Sequence, residues 1–453
     1  MAVGCWLLAI GFWLLAIGCW LLAIGCWLLA FGCWLLAFGC WLLAVGFSTF
    51  QLFNLLLSVF RLLSSVLCLL SSIFYLLSSK LLNSSTLKLL NFLPSTFHLP
   101  PSALLFRAIQ HVENFMYICY EHKIHSIMPT IKKIGVLTSG GDTPGMNAAI
   151  RAIVKAGNHY GIEIVGIQKG FFGLIHDKMQ SLDSRAVYNI IHRGGTILKS
   201  ARCEEFKTKK GRETANKVVK KNSIDALILI GGDGTLTGGK LFGREFDVPV
   251  IGLPGTIDND LYGTDYTIGY DTAVNTVVTA VDKIRDTAHS HDRLFIVEVM
   301  GRDAGFIALR SGIATGAEKI LIPEAKTFKE DLLESLKKGI AEDETSGIII
   351  VAEGDDTGGA REVEKIVRDR YPDYDIRVSI LGHIQRGGAP SAYDRVLASG
   401  LGYQAVKGLT EGKRDVMVGS INRQIVFTPL DKTIKYNSPI NVELHSIAEI
   451  LGL

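Results

Sequence analysis

Charge is missing from the first 60 residues of this 453-residue chain, where the first charged side chain is Arg61. Residues 1–127 hold five Lys/Arg and two Asp/Glu, which leaves 42 of each sign beyond them. A balanced remainder offers no basic footprint for nucleic acid. Tryptophan and cysteine are missing from the other part. All six tryptophans and seven of the eight cysteines precede residue 128, so only Cys203 follows. That excludes a disulfide framework from residues 128–453 and fits a cytoplasmic protein.

What fills residues 1–127 is repetition. Glycine recurs at positions 4, 11, 18, 25, 32, 39 and 46 around a Trp-Leu-Leu-Ala unit, and Leu-Leu-Ser-Ser recurs at Leu62, Leu69 and Leu76. An apolar stretch of this length can cross a bilayer, which takes about 20 residues. Yet a signal peptide has a basic start and a short apolar core, and evolved spans collect Trp at the interfaces rather than at every depth. A period of seven residues is also a tandem repeat of about twenty-one nucleotides, and the exchanges in its variable slots (Cys or Phe; Ile, Phe or Val) are single-base changes. The expectation is that translation begins at Met128, that 1–127 is not part of the native protein, and that membrane contact arises only if the segment is genuine.

From Met128 onward, short apolar runs alternate with amphipathic stretches. Strands are expected over 133–139, 162–168, 226–230, 248–253, 293–299, 319–322, 347–352 and 376–381, with helices over 147–158, 271–288, 328–340 and 393–409. This alternation predicts βαβ units and mostly parallel sheets. Roughly 325 residues exceed one core, so two Rossmann-like three-layer α/β/α domains with a cleft between them are expected. Polar, glycine-rich clusters fall repeatedly at the C-terminal ends of the expected strands, where open α/β sheets bind ligands.

Five clusters carry the chemistry. Ser139-Gly140-Gly141-Asp142-Thr143-Pro144-Gly145 joins the first strand to a helix, giving backbone N–H groups access to phosphate. It lacks the Gly-Lys-Ser/Thr of a Walker loop, and an ordinary tight turn is its plainer explanation. Gly231-Gly232-Asp233-Gly234-Thr235 adds a carboxylate suited to Mg²⁺, or simply a helix cap. Pro254-Gly255-Thr256-Ile257-Asp258-Asn259-Asp260 offers carboxylates two residues apart, one as general base with the other restraining it, against an Asx-rich turn. Met300-Gly301-Arg302-Asp303 and His383-Ile384-Gln385-Arg386-Gly387-Gly388 supply guanidinium groups for phosphate at strand ends, although a lone Arg is usually solvated and a lone His usually structural. Glu353 closes an apolar run and would be costly if buried unpaired, which points to a sugar hydroxyl as partner. Together these residues suit phosphoryl transfer to a sugar alcohol.

Gly-Val-Leu-Thr-Ser-Gly-Gly-Asp at 135–142, Gly-Gly-Asp-Gly-Thr at 231–235, Pro-Gly-Thr-Ile-Asp-Asn-Asp at 254–260 and Leu-Gly-His-Ile-Gln-Arg-Gly-Gly at 381–388 resemble the bacterial ATP-dependent 6-phosphofructokinases from Met128 to about residue 428. The resemblance implies transfer from MgATP to the 1-hydroxyl of fructose 6-phosphate. Asp258 would be the base, with Arg302, Thr256, Gly141 and Arg202 also catalytic. Asp233 would hold Mg²⁺. Gly141, Arg202, Cys203, Gly232, Asp233, Gly234 and Thr235 would bind ATP. Thr256, Ile257, Asp258, Met300, Gly301, Arg302, Glu353, His383, Ile384, Gln385 and Arg386 would bind the sugar phosphate, joined by Arg293 and Arg377 from a neighbouring subunit of a homotetramer. An ATP-binding domain over 128–267 plus 384–433 and a sugar-phosphate domain over 268–383 plus 434–453 follow.

Gly234 and Gly255 stand where pyrophosphate-dependent relatives usually carry Asp and Lys, so the resemblance favours ATP over pyrophosphate. A second alternative is a membrane-attached, non-catalytic sugar-phosphate sensor, which would have no need of Asp233, Asp258, Arg302 and Arg386. Arg151, Lys155, Arg285, Gly316, Ala317 and Glu318 match an effector pocket for ADP or phosphoenolpyruvate. Glu342-Asp343-Glu344 stands where that pocket would have basic residues, Lys155 and Ser184 stand where arginines are common, and so a weak or altered response is expected.

Overall fold

In the computed structural model, which describes residues 131–325, 332–334, 347–436 and 438–451, the apolar runs become two sheets. In chain order the strands are β1 (Lys133–Thr138), β2 (Glu163–Ile167), β3 (Met179–Ser181), β4 (Ala226–Gly231), β5 (Val250–Pro254), β6 (Leu294–Val299), β7 (Lys319–Leu321), β8 (Gly347–Ala352), β9 (Ile376–Ile380), β10 (Val416–Ile421) and β11 (Gln424–Pro429). The first sheet has the order β11-β10-β5-β4-β1-β2-β3 and the second β7-β8-β6-β9. All pairings are parallel except the two edges β2–β3 and β10–β11.

Side-chain alternation explains why the central strands read as unbroken apolar runs. In β4, Ile228 and Ile230 enter one core with Ile150, Ile153, Leu401 and Val406 of the helices Met146–Tyr160 and Ala392–Thr410. Leu227 and Leu229 enter the core on the opposite face, with Val219 and Phe242. The second sheet repeats the arrangement. Val297, Val299, Ile348 and Ile350 face one core, while Leu294, Ile296, Ile349 and Val351 face the other. The expected three-layer α/β class holds.

Strand β5 begins two residues later than the apolar run, because Pro249 has no N–H for the ladder; its carbonyl still accepts from Leu227 N at 2.9 Å. The hairpin β10–β11 and the edge strand β3 were not expected from the sequence. The helix expected over 328–340 lies outside the described residues except for 332–334, and the acidic segment 342–344 and the repeats lie outside them altogether. Among the described residues no helix is long and apolar enough to cross a membrane.

Candidate active site

Three neighbouring parallel strands, β1, β4 and β5, end side by side, and the three glycine-acid segments begin there. They line a cleft of about 490 Å³, within the size range of small-molecule sites. Gly140 and Gly141 form one wall, Gly232 to Thr235 the next, and Gly255, Thr256, Asp258 and Asp260 the third. Thr235 Oγ1 donates to Ser139 O at 3.0 Å, which locks the first two turns together. Asp233 opens the helix Asp233–Phe246, so its carboxylate stands beside unpaired N–H groups.

Asn259 shapes the third turn. Its backbone is left-handed (φ 56°), its amide donates to Asp265 O at 3.1 Å, and its carbonyl oxygen accepts from Thr267 N at 2.7 Å. Thr256 Oγ1 accepts from Asp258 N at 3.2 Å. Asp258 is thereby held with 3% of its surface exposed.

The second sheet supplies cations. Arg302 follows β6 and Arg386 ends the 3₁₀ turn Gly382–Arg386 after β9. Arg302 Nε stands 3.8 Å from Asp258 Oδ2, and the Arg386 guanidinium lies on the bare face of Gly141, where a Cβ would overlap Nη1. Arg302 is itself left-handed (φ 52°). Glu353 Oε1 holds it there by accepting from Arg302 N at 2.8 Å and Gly301 N at 3.4 Å.

Burial raises the Asp258 carboxyl above the usual carboxylate range, with Arg386 and Arg302 pulling it back. Burial and then the neighbouring Asp258 push Asp260 up to about 6. Asp233 is raised by desolvation against the pull of Arg302. Asp258 Oδ1 is buried and makes no hydrogen bond. Among the described residues no three His, Cys, Asp or Glu side chains cluster as a metal cage. A lone carboxylate such as Asp233 suits a hard cation that completes its shell with phosphate and water oxygens.

Of the sequence-predicted residues, Gly141, Arg202, Cys203, Gly232 to Thr235, Thr256, Asp258, Arg302 and Arg386 share this cleft. Ile257 is fully buried and Met300 nearly so, both in the core of the second sheet. Gln385 is fully buried, while His383 and Ile384 beside it are exposed. Arg293 and Arg377 sit elsewhere, both paired with Asp375 at 2.7 and 3.0 Å, at the opposite end of the second sheet from Arg302. Of the effector set, Lys155 donates to Ser184 Oγ at 3.1 Å, and Arg151 lies half-buried on the helix Met146–Tyr160. Arg285 is occupied by Thr315 O, Gly316 O and Glu318.

Sequence reasoning missed the apolar end of the cleft. Phe171 and Phe206 stack there with centroids 3.9 Å apart, beside Leu241 and Gly238. Nothing in the sequence separates these phenylalanines from core residues. The two donor glycines also differ. No atom lies within 4 Å of a Cβ built on Gly234, whereas at Gly255 one would meet Ile230, Gly231 N and Met146 at 3.0, 3.1 and 3.1 Å. Gly234 is open toward the cleft, and Gly255 is needed for packing.

The family model described as Phosphofructokinase matches residues 133–409. A Bacteroides thetaiotaomicron protein named ATP-dependent 6-phosphofructokinase 2 is 54% identical over 326 residues, covering 72% of this chain and 100% of that protein. Phosphofructokinase from Saccharomyces cerevisiae superposes with a TM-score of 0.64 at 36% identity, over 71% of this chain and 46% of that one. A pyrophosphate-dependent phosphofructokinase from Marinobacter aquaeolei reaches a TM-score of 0.62 at 22% identity, over 69% of this chain and 86% of its own, a likeness of fold alone.

Proposed function

The chain belongs to the phosphofructokinase family and uses ATP to phosphorylate fructose 6-phosphate, a step of glycolysis, and from that premise we propose how its cleft performs the transfer. Asp258 is the general base that takes the proton of the 1-hydroxyl. The observation that carries this reading is Asp258 Oδ1, buried without a hydrogen-bond partner. An unpaired buried acceptor costs about 1–3 kcal/mol, and a sugar hydroxyl supplies the missing donor. Its raised carboxyl is also a stronger base than an exposed aspartate.

Phosphoryl transfer asks the protein for positioning and charge compensation more than covalent chemistry. The Gly140-Gly141 and Gly232–Thr235 turns cradle the nucleotide phosphates with backbone N–H groups. Phe171, Phe206 and Leu241 wall the purine. Arg202, Arg302 and Arg386 offset charge on the moving group and on the sugar phosphate. Thr256 orients the hydroxyl, and the open space at Gly234 leaves room for the α-phosphate of ATP. Asp233 would hold Mg²⁺, whose contribution when bound is to neutralise phosphate charge.

The ATP side is assigned to 128–267 plus 384–433 and the sugar side to 268–383 plus 434–453, consistent with the partition of the two sheets. Arg293 and Arg377 lie too far along β6 and β9 to reach their own chain's cleft, which supports sites shared between subunits of a homotetramer. Effector response is read as weak, since Arg285 is already held by Glu318 and two backbone carbonyls.

Asp258→Asn tests the assignment. Loss of a general base lowers kcat by about 10²–10⁴-fold while KM for MgATP stays close to the parent value. A variant that makes fructose 1,6-bisphosphate at the parent rate would remove Asp258 from the mechanism.

A further inference from the structure

Gln385 stands inside the motif that carries Arg386, yet its side chain faces away from the cleft and is fully buried. Its Oε1 accepts from Met300 N at 3.2 Å, and its Nε2 donates to Gly382 O at 3.1 Å. Both polar ends are therefore engaged with backbone. Each anchor lies just ahead of an arginine. Met300 is two residues before Arg302, and Gly382 opens the 3₁₀ turn that ends in Arg386.

The β6–β9 ladder stops at Glu298 and Ile380, with Leu381 N donating to Glu298 O at 3.1 Å. Past that point the strands no longer fix the separation of the two arginine-bearing turns, and the Gln385 amide ties one to the other. The cations so joined converge on one place. Arg302 faces Asp258 Oδ2, and Arg386 lies against Gly141 in the same cleft.

We propose that Gln385 is a positioning residue that sets the spacing of Arg302 and Arg386 across the transferring phosphoryl group. This rests on the reading of those two arginines given above. A planar amide with an acceptor at one position and a donor at the other matches this pair of backbone groups. Methionine has similar volume and reach but makes neither bond.

The experiment measures kcat and both KM values for Gln385→Met in the parent and in an Arg386→Ala background. The expected result is a loss of about tenfold or more in kcat/KM for fructose 6-phosphate, equivalent to about 1.4 kcal/mol, with KM for MgATP held within about twofold. In the Arg386→Ala background the same change costs clearly less, because a residue acting through another gives non-additive losses. An unchanged kcat/KM, an equal rise in both KM values, or a fully additive loss overturns the proposal. If Arg386→Ala alone leaves the sugar-phosphate terms untouched, the arginine reading fails as well, and the two failures are thereby told apart. Should Gln385→Met not fold by gel filtration and thermal melting, Gln385→Asn keeps an amide in the site but, one methylene shorter, takes the acceptor away from Met300 N. It is held to the same split, in which the sugar-phosphate terms fall and KM for MgATP does not.

Discussion

Asp258 and Asp260 lie two residues apart in the cleft, and burial raises both carboxyls, Asp260 to about 6. A raised carboxyl binds its proton more tightly when folded than when unfolded. The stability linked to that proton is present below the ordinary value near 4 and is lost as pH climbs through about 6. At pH 7–8 Asp260 is charged, and the fold carries the cost of holding one of two neighbouring carboxyl groups out of water as its anion. Asp260→Asn removes one of them. The ligand-free variant is expected to be more stable than the parent at pH 8, by about 3 kcal/mol, since each pH unit between the folded and unfolded carboxyl is worth about 1.4 kcal/mol. The gain should shrink as pH falls toward 4. Thermal melts at pH 4.5 and pH 8 check this, and an equal difference at both values would mean that charge is not the cause. The direction of the change matters, because stability gained by neutralising a cleft residue marks a group kept for chemistry.

At the scale of elements, the junction between the sheets depends on one buried carboxylate. Asp394, in the first turn of the helix Ala392–Thr410, is fully buried. It accepts from Gly269 N at 2.9 Å, Thr272 N at 2.8 Å and Thr272 Oγ1 at 2.5 Å, all at the N-terminus of the helix Tyr270–His291. Asp394→Ala strands these donors and is expected to cost about 3 kcal/mol or more, seen as a lower melting temperature with an unchanged donor preference. Nothing in the sequence pointed to this contact, since Asp394 reads as one acidic residue in a helical stretch. The same limit governed what else was legible. Apolar runs marked β1, β4, β6 and β8, because strands buried on both faces show themselves as composition. The β10–β11 hairpin turns on Asn422 and Arg423, both left-handed at φ 50° and 65°, without the glycine that usually signals such a turn. In the site, the glycine-acid segments were readable because phosphate chemistry demands those residue types next to one another. The directions of Gln385 and Glu353 were not, because beyond a strand end the turn decides where a side chain points.

For the whole molecule, the informative residues are the ones the cleft lacks. Arg293 precedes β6 and Arg302 follows it, and six strand residues at about 3.3 Å each put roughly 20 Å between them. Arg377 pairs opposite Phe295 near the same far end, and Asp375 holds both arginines at the surface, away from their own cleft. If these arginines grip the sugar phosphate, they do so in the site of another copy. A complete site then takes Asp258 from one chain and Arg293 from its partner, so two inactive proteins should repair each other. The Asp258→Asn and Arg293→Ala proteins are each expected to be nearly inactive. After co-refolding in equal amounts, a site is intact when its base comes from the Arg293→Ala chain and its arginine from the Asp258→Asn chain. Random assembly gives that combination in about one site in four, so close to a quarter of the parent activity should return. The mixture should stay inactive when the two proteins are combined without dissociation. Activity that remains near zero in verified hybrids would mean that each site takes both residues from one chain, and that the sites are not shared. A fully active Arg293→Ala protein would instead leave Arg293 as a surface ion pair with Asp375 and nothing more.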